Sequence, residues 1–228
     1  MNTIYENVNN IRSIISRQAA LAGRNAAEIT LVAVTKTVAP ERIQDALSAG
    51  VTDIGENKVQ EALTKNTRLG TAAHWHLIGH LQSNKAKAAV QLFELIHSVD
   101  SLKLAEAIDK EAGKIGKKQR ILIEVNVSGE ESKFGCSPEA VIELVRSASR
   151  GNNLQIEGLM TMAPFTADKD RIHSVFRGLR ELKERINSEQ IPNVVMKHLS
   201  MGMSQDFEIA IAEGATLVRV GTAIFGGR

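Results

Sequence analysis

The chain alternates short apolar runs with stretches whose apolar residues recur at helical spacing. Residues 31–37 open with four consecutive apolar side chains, Leu31, Val32, Ala33 and Val34, and turn polar at Thr35, Lys36 and Thr37. Such a run predicts a strand covered on both faces, as in a parallel sheet. Before it, residues 3–22 carry Ile4, Val8, Ile11 and Ile15 on one face of an amphipathic helix. After it, Pro40 opens a helix that Gly50 stops. The alternation then continues, with strands at 52–57, 75–79, 95–100, 120–127, 155–160, 197–201 and 216–220. Intervening helices are predicted over 58–69, from about 84, over 101–113 with Ser101 as cap, from Ser137 to Gly151, and over about 205–213. The clearest helical stripe is Ile172, Val175, Phe176, Leu179, Leu182 and Ile186.

Eight strands alternating with helices, with no linker or low-complexity segment, predict a closed parallel barrel in one domain spanning 1–228. The alternative is an open doubly wound sheet, which would not pair its last strand with its first. Because little chain follows the eighth strand, the leading helix is expected to cover the wall that a longer final helix would otherwise cover.

Composition narrows the functional classes. With 228 residues, 43% hydrophobic, 24% charged and a net charge of +2, the chain is of globular type and has no clustered basic face. Nucleic-acid and membrane-surface partners are therefore not expected. Cys136 is the only cysteine and the N-terminus has no apolar signal core, which point to a reducing, cytoplasmic setting.

In a barrel the carboxyl ends of the strands form the ligand-binding face. Here they collect Lys36, Asn57, residues 76–80, Asn126, Met160, residues 200–204 and residues 219–222. A lone strand-end lysine usually just reaches into water. The loops Ser200-Met201-Gly202-Met203-Ser204 and Gly221-Thr222 offer backbone amides and hydroxyls suited to a phosphate, although such glycines can also simply close turns. A lysine and a phosphate pocket on one rim suggest pyridoxal 5'-phosphate, its aldehyde forming a Schiff base with Lys36. Arg219 could lower the lysine pKa or face the pyridine nitrogen, where it would make the ring a weaker electron sink.

Specific motifs sharpen this reading: Ala33-Val34-Thr35-Lys36, Gly55-Glu56-Asn57 followed by Gln60-Glu61, the segment from His76 to Lys85, Gly158-Leu159-Met160, the 199–204 loop, and Val218-Arg219-Val220-Gly221-Thr222 through Gly226. With these the chain resembles the pyridoxal phosphate homeostasis protein family, related to the barrel domain of alanine racemase. The resemblance implies a (β/α)8 TIM barrel of the alanine racemase N-terminal-domain type. It also implies that Lys36 carries the cofactor, that Ser200, Gly221 and Thr222 hold its phosphate, that Arg219 faces the pyridine nitrogen, and that Asn57 and Met201 line the ring. The function it implies is buffering or delivery of the cofactor in intracellular vitamin B6 homeostasis, with apo pyridoxal-phosphate enzymes as recipients and a monomeric state. His80 departs from the proline of many relatives, and the chain ends at Arg228 without the short tail some carry.

An amino-acid racemase or lyase is the rival. Two-base racemisation needs a second acid/base, in alanine racemase a tyrosine from another domain. The expectation here is that no such domain follows, that the only tyrosine, Tyr5, lies on the outer wall, and that His198 and Cys136 do not reach the ring. Other constellations are weaker. His74, His76 and His80 suggest a metal, but no nearby carboxylate or thiol completes a ligand set in the sequence. Cys136 beside Lys133 could have a lowered pKa. Lys85 and Lys133 are secondary cations, or further amines for the aldehyde, if they are not simply solvated.

Overall fold

A computed structural model describes residues 3–227. Its strands are β1 (Thr30–Val34), β2 (Asp53–Glu56), β3 (His74–Leu77), β4 (Leu95–Val99), β5 (Gln119–Glu124), β6 (Leu154–Met160), β7 (Val194–Ser200) and β8 (Leu217–Val220). All pair in parallel and in sequence order, and β8 closes onto β1 from Thr30↔Leu217 to Ala33↔Val220. That closure leaves no sheet edge and excludes the open doubly wound alternative. The helices are α1 (Ile4–Leu21), α2 (Pro40–Ser48), α3 (Val59–Leu69), α4 (Ala86–Leu92), α5 (Leu102–Lys114), α6 (Val141–Ala148), α7 (Lys169–Ser188), α8 (Phe207–Ala212) and α9 (Thr222–Phe225). The protein is a (β/α)8 barrel. No helix among the described residues is long and apolar enough to cross a membrane.

The leading helix covers the barrel wall as expected, between α8 and α2. Thr3 and Glu6 form a reciprocal capping box at its start, and Val8, Ile11, Ile15 and Ala19 are its buried stripe. Polar contacts fix its position: Asn7 donates to Ile224 O at 2.9 Å, and Arg12 donates to Ala49 O and Gly50 O at 2.9 and 2.5 Å. The α7 stripe is buried along its length, with Asp168 capping the Arg171 amide.

Several local expectations differ from the structure, and β7 begins at Val194, three residues earlier than its spacing suggests. Ser101 precedes α5 but makes no side-chain cap bond. Helix α6 begins at Val141 rather than Ser137, because residues 137–140 form a turn closed by Ala140 N to Ser137 O. Strand β5 stops at Glu124, three residues early. There the chain folds back and Cys136 N bonds Glu124 O at 2.9 Å, so a loop replaces the ladder. Only glycine allows that return at Gly135, whose φ is +114° and whose Cβ would lie 2.6 Å from Asn126 N.

Two cores result. The larger lies between the barrel and its helices. The smaller lies inside the barrel and consists of Val32, Leu95, Leu122, Met160 and Leu217, with Met162 packed against it. Barrel interiors are ordinarily filled by layers of branched apolar side chains. Here Asp53, His76, His97, Ser200 and Arg219 are joined by hydrogen bonds through the interior instead.

Candidate functional site

Lys36 lies two residues beyond β1, in a turn rather than on the strand itself. Both of its neighbours are held by one buried ion cluster. Lys65, on α3, donates from Nζ to Thr35 O at 2.6 Å and to Glu56 and Glu61 at 2.7 Å each. Thr35 Oγ1 donates to Glu56 Oε1 at 2.6 Å, and the Thr37 amide donates to Glu61 Oε1 at 2.5 Å. Thr37 needs that anchor, because its φ of +61° is costly for a β-branched residue. Burial raises the Glu56 carboxyl above its ordinary value against the pull of Lys65. Burial also acts to raise Glu61, but the Lys65 and Thr37 hydrogen bonds prevail and hold it below its usual range. The cluster thereby fixes the backbone that presents Lys36.

A cavity of about 500 Å³ opens at the carboxyl ends of β1, β6, β7 and β8. Val34 and Lys36 line it, as do residues 163–166, residues 203–206, Arg219 and residues 221–223. The expected residues Lys36, Arg219, Gly221 and Thr222 are thus brought together. Gly221 permits close packing, since a Cβ there would sit 3.2 Å from Val34 Cβ. Gly202 turns the β7–α8 loop inward with φ +91°, where a Cβ would meet Ala210 at 2.5 Å.

Three expected residues stand elsewhere. Ser200 is fully buried, and its hydroxyl lies between His97 Nδ1 at 2.8 Å and Arg219 at 2.5 Å, so it does not line the cavity. Met201, the next residue, packs into the outer core, because successive side chains at a strand end point to opposite faces. Asn57 follows β2, away from the opening, with its backbone against Gly79. Ser204 and Met203 occupy the positions at the cavity that were expected of Ser200 and Met201. Ser204 Oγ accepts from Ala223 N at 3.4 Å. The 199–204 motif contained both serines, and nothing in its spacing distinguished them.

Arg219 is buried, with one guanidinium nitrogen on Ser200 Oγ and the other on Thr161 O at 2.9 Å. Burial lowers its pKa to about 10, opposed by the charges of Glu124 and Asp206, and it stays cationic at neutral pH. Glu124, at the end of β5, is pushed up to about 7 by burial, with Arg219 opposing and Asp100 adding to the rise. Its Oε2 makes no hydrogen bond among the described residues. Asp206 lines the cavity with its carboxyl raised by burial, and accepts from Met203 N at 2.5 Å.

The remaining candidates separate. Burial drives the Cys136 thiol up to about 12, the opposite of the lowered value that its lysine neighbour suggested. Lys133 pairs with Glu130 at 3.1 Å, and Lys85 is exposed in a 3-10 turn at Ser83–Lys85. Tyr5 is 60% exposed on α1. His198 is half-buried, 3.8 Å from Glu157, and does not line the cavity. His74 and His76 do share a carboxylate, Asp53, at 3.5 and 3.1 Å, a neighbour that spacing did not reveal. His80 turns instead to Asp100 and stacks on Phe134 at 4.0 Å between centroids. Among the described residues no three potential ligands could hold a metal ion together.

Known proteins share this architecture. The model of the alanine racemase N-terminal domain matches residues 2–228. The pyridoxal phosphate homeostasis protein of Pseudomonas aeruginosa is 41% identical over 229 residues, covering 100% of this chain and 97% of its own. That of Aquifex aeolicus is 43% identical over 224 residues, covering 98% and 97%. The solved structure of PipY from Synechococcus elongatus with PLP bound superimposes with a TM-score of 0.82 at 37% identity, covering 93% of this chain and 100% of that one. The chain therefore belongs to the alanine racemase N-terminal-domain family, among its pyridoxal phosphate homeostasis proteins.

Proposed function

We propose that the protein binds pyridoxal 5'-phosphate covalently, as a Schiff base on Lys36, and buffers or delivers it to apo enzymes in vitamin B6 homeostasis. The observation that carries this reading is the cavity itself, where a primary amine and a buried guanidinium share one space with Thr166, Ser204, Thr222 and a glycine turn. The donor set fits the cofactor. Lys36 would hold the aldehyde carbon, Ser204, Thr222 and the Gly221–Ala223 amides the phosphate, and Arg219 the ring nitrogen. When bound, the cofactor supplies an electrophilic carbon and an electron-withdrawing ring. A cationic Arg219 at the ring nitrogen disfavours its protonation and weakens that withdrawal. Relatives named for pyridoxal phosphate homeostasis support the reading, as does the PLP-bound structure of PipY.

Storage without efficient turnover is part of the same proposal. Besides Lys36, the titratable groups among the described lining residues are Arg219, Asp206 and no histidine, cysteine or tyrosine. Asp206 is engaged by the Met203 amide. In this reading residues 1–228 act as one cofactor-binding domain, monomeric and cytoplasmic.

The test is an absorbance spectrum after addition of pyridoxal phosphate, then borohydride reduction and peptide mass analysis. A visible band and a pyridoxyl mass on the Lys36 peptide are expected, both lost in a folded Lys36→Ala variant. An adduct found only on Lys85 or Lys133 would overturn the assignment. Rapid α-deuteration of alanine at catalytic protein concentration would favour the racemase.

A further inference from the structure

The polar groups inside the barrel form one continuous chain. Arg219 donates to Ser200 Oγ at 2.5 Å, and Ser200 Oγ lies 2.8 Å from His97 Nδ1. His97 Nε2 lies 2.9 Å from His76 Nδ1, and His76 Nε2 lies 3.1 Å from Asp53 Oδ1. These residues come from β8, β7, β4, β3 and β2. Val32 pairs with both Asp53 and Arg219, so the two ends lie on one cross-strand row of the sheet, on either side of β1. The chain crosses the interior to connect them.

We propose that Asp53, His76, His97 and Ser200 are positioning residues for Arg219, forming a one-way hydrogen-bond relay that carries the Asp53 charge to the guanidinium. The direction follows from counting protons. Arg219 can only donate, so Ser200 must accept from it and pass its own proton to His97 Nδ1. His97 then carries its single hydrogen on Nε2 and donates to His76 Nδ1. His76 in turn carries hydrogen on Nε2 and donates it to the Asp53 carboxylate, which accepts and so closes the sequence. Any other arrangement aims two donors at the Ser200 oxygen and leaves its buried proton without an acceptor among the described residues. Full burial keeps His97 neutral, as the relay requires. The effect on ligand rests on the cofactor reading above; the proton arrangement does not.

The test has two readouts. Histidine 15N spectra of the protein without ligand should show both His76 and His97 with hydrogen on Nε2. Asp53→Asn preserves shape and can still accept from His76 Nε2 through its amide oxygen but carries no charge, so both histidines should keep hydrogen on Nε2. Pyridoxal phosphate titrated by absorbance should then bind Asp53→Asn about fivefold to tenfold more weakly, the loss of part of one charge-assisted bond. His74→Gln, which touches the same carboxylate from outside the relay, should bind as the wild type does. Hydrogen on Nδ1 of either histidine in the wild type would overturn the relay. Unchanged affinity in Asp53→Asn, with the tautomers retained and only the charge lost, would overturn transmission to Arg219. A wild type that binds no pyridoxal phosphate would overturn the cofactor reading instead, and the histidine spectra alone would then decide the relay.

Discussion

Replacing Glu124 by glutamine should stabilise the protein at alkaline pH and hardly change it in acid. Glu124 is 3% exposed at the end of β5, and its Oε2 has no partner among the described residues. Burial lifts its carboxyl from 4.5 to about 7 even with Arg219 nearby. Between those values the folded protein retains a proton that the unfolded chain has released, so stability falls as pH rises through the window. At about 1.4 kcal/mol for each pH unit, the gap is worth about 3 kcal/mol once complete. Glutamine has similar volume and hydrogen-bonding capacity but no proton to lose. Urea denaturation of both proteins at pH 5, 7 and 8.5 isolates the effect, because every other titrating group is common to the two. Relative to wild type, the variant should gain about 2.5 kcal/mol between pH 5 and 8.5. Parallel stability curves would refute the reasoning, since Glu124 would then be ionised in the folded state at the same pH as in the unfolded one.

Lys65→Met strands the buried Glu56 carboxylate, releases the Thr35 carbonyl and removes the cation that positions Glu61 against the Thr37 amide, at a cost of about 3–5 kcal/mol. Circular dichroism should show the melting temperature fall by about 10 °C, and an unchanged melt would show that the cluster is dispensable. Replacing Ser204 and Thr222 together by alanine should weaken pyridoxal phosphate binding about a hundredfold, with little effect on unphosphorylated pyridoxal. Equal losses for the two ligands would place the phosphate elsewhere. His97 is held neutral well below 6.5, so the unfolded chain takes up a proton that the folded protein refuses. Stability should drop as pH falls below about 6.5, by up to about 1.4 kcal/mol per pH unit, and His97→Gln should flatten that slope in denaturation curves.

Periodicity by itself determined the order of the elements. An unbroken apolar run such as residues 31–34 leaves a strand no solvent-facing side, and eight such strands between helices leave few architectures other than a parallel barrel. The α7 stripe was readable for the same local reason, since 3.6-residue spacing exposes one face to the core. Lys36, Arg219, Gly221 and Thr222 were legible because strand ends and glycine turns place residues on a rim whatever the details of packing. The tertiary structure decided everything that depended on which way a side chain points across the barrel. Ser200 and Ser204 are chemically identical and four residues apart, yet alternation at the end of β7 and the turn at Gly202 send one into the interior and the other to the cavity. His97 sits in the middle of an apolar strand, and its partners come from residues 21 and 103 positions away. The Lys65 cluster likewise joins the turn after β1 to β2 and α3. Such contacts exist only once the sheet has closed, because hydrogen bonding between distant strands leaves no periodic trace along the chain.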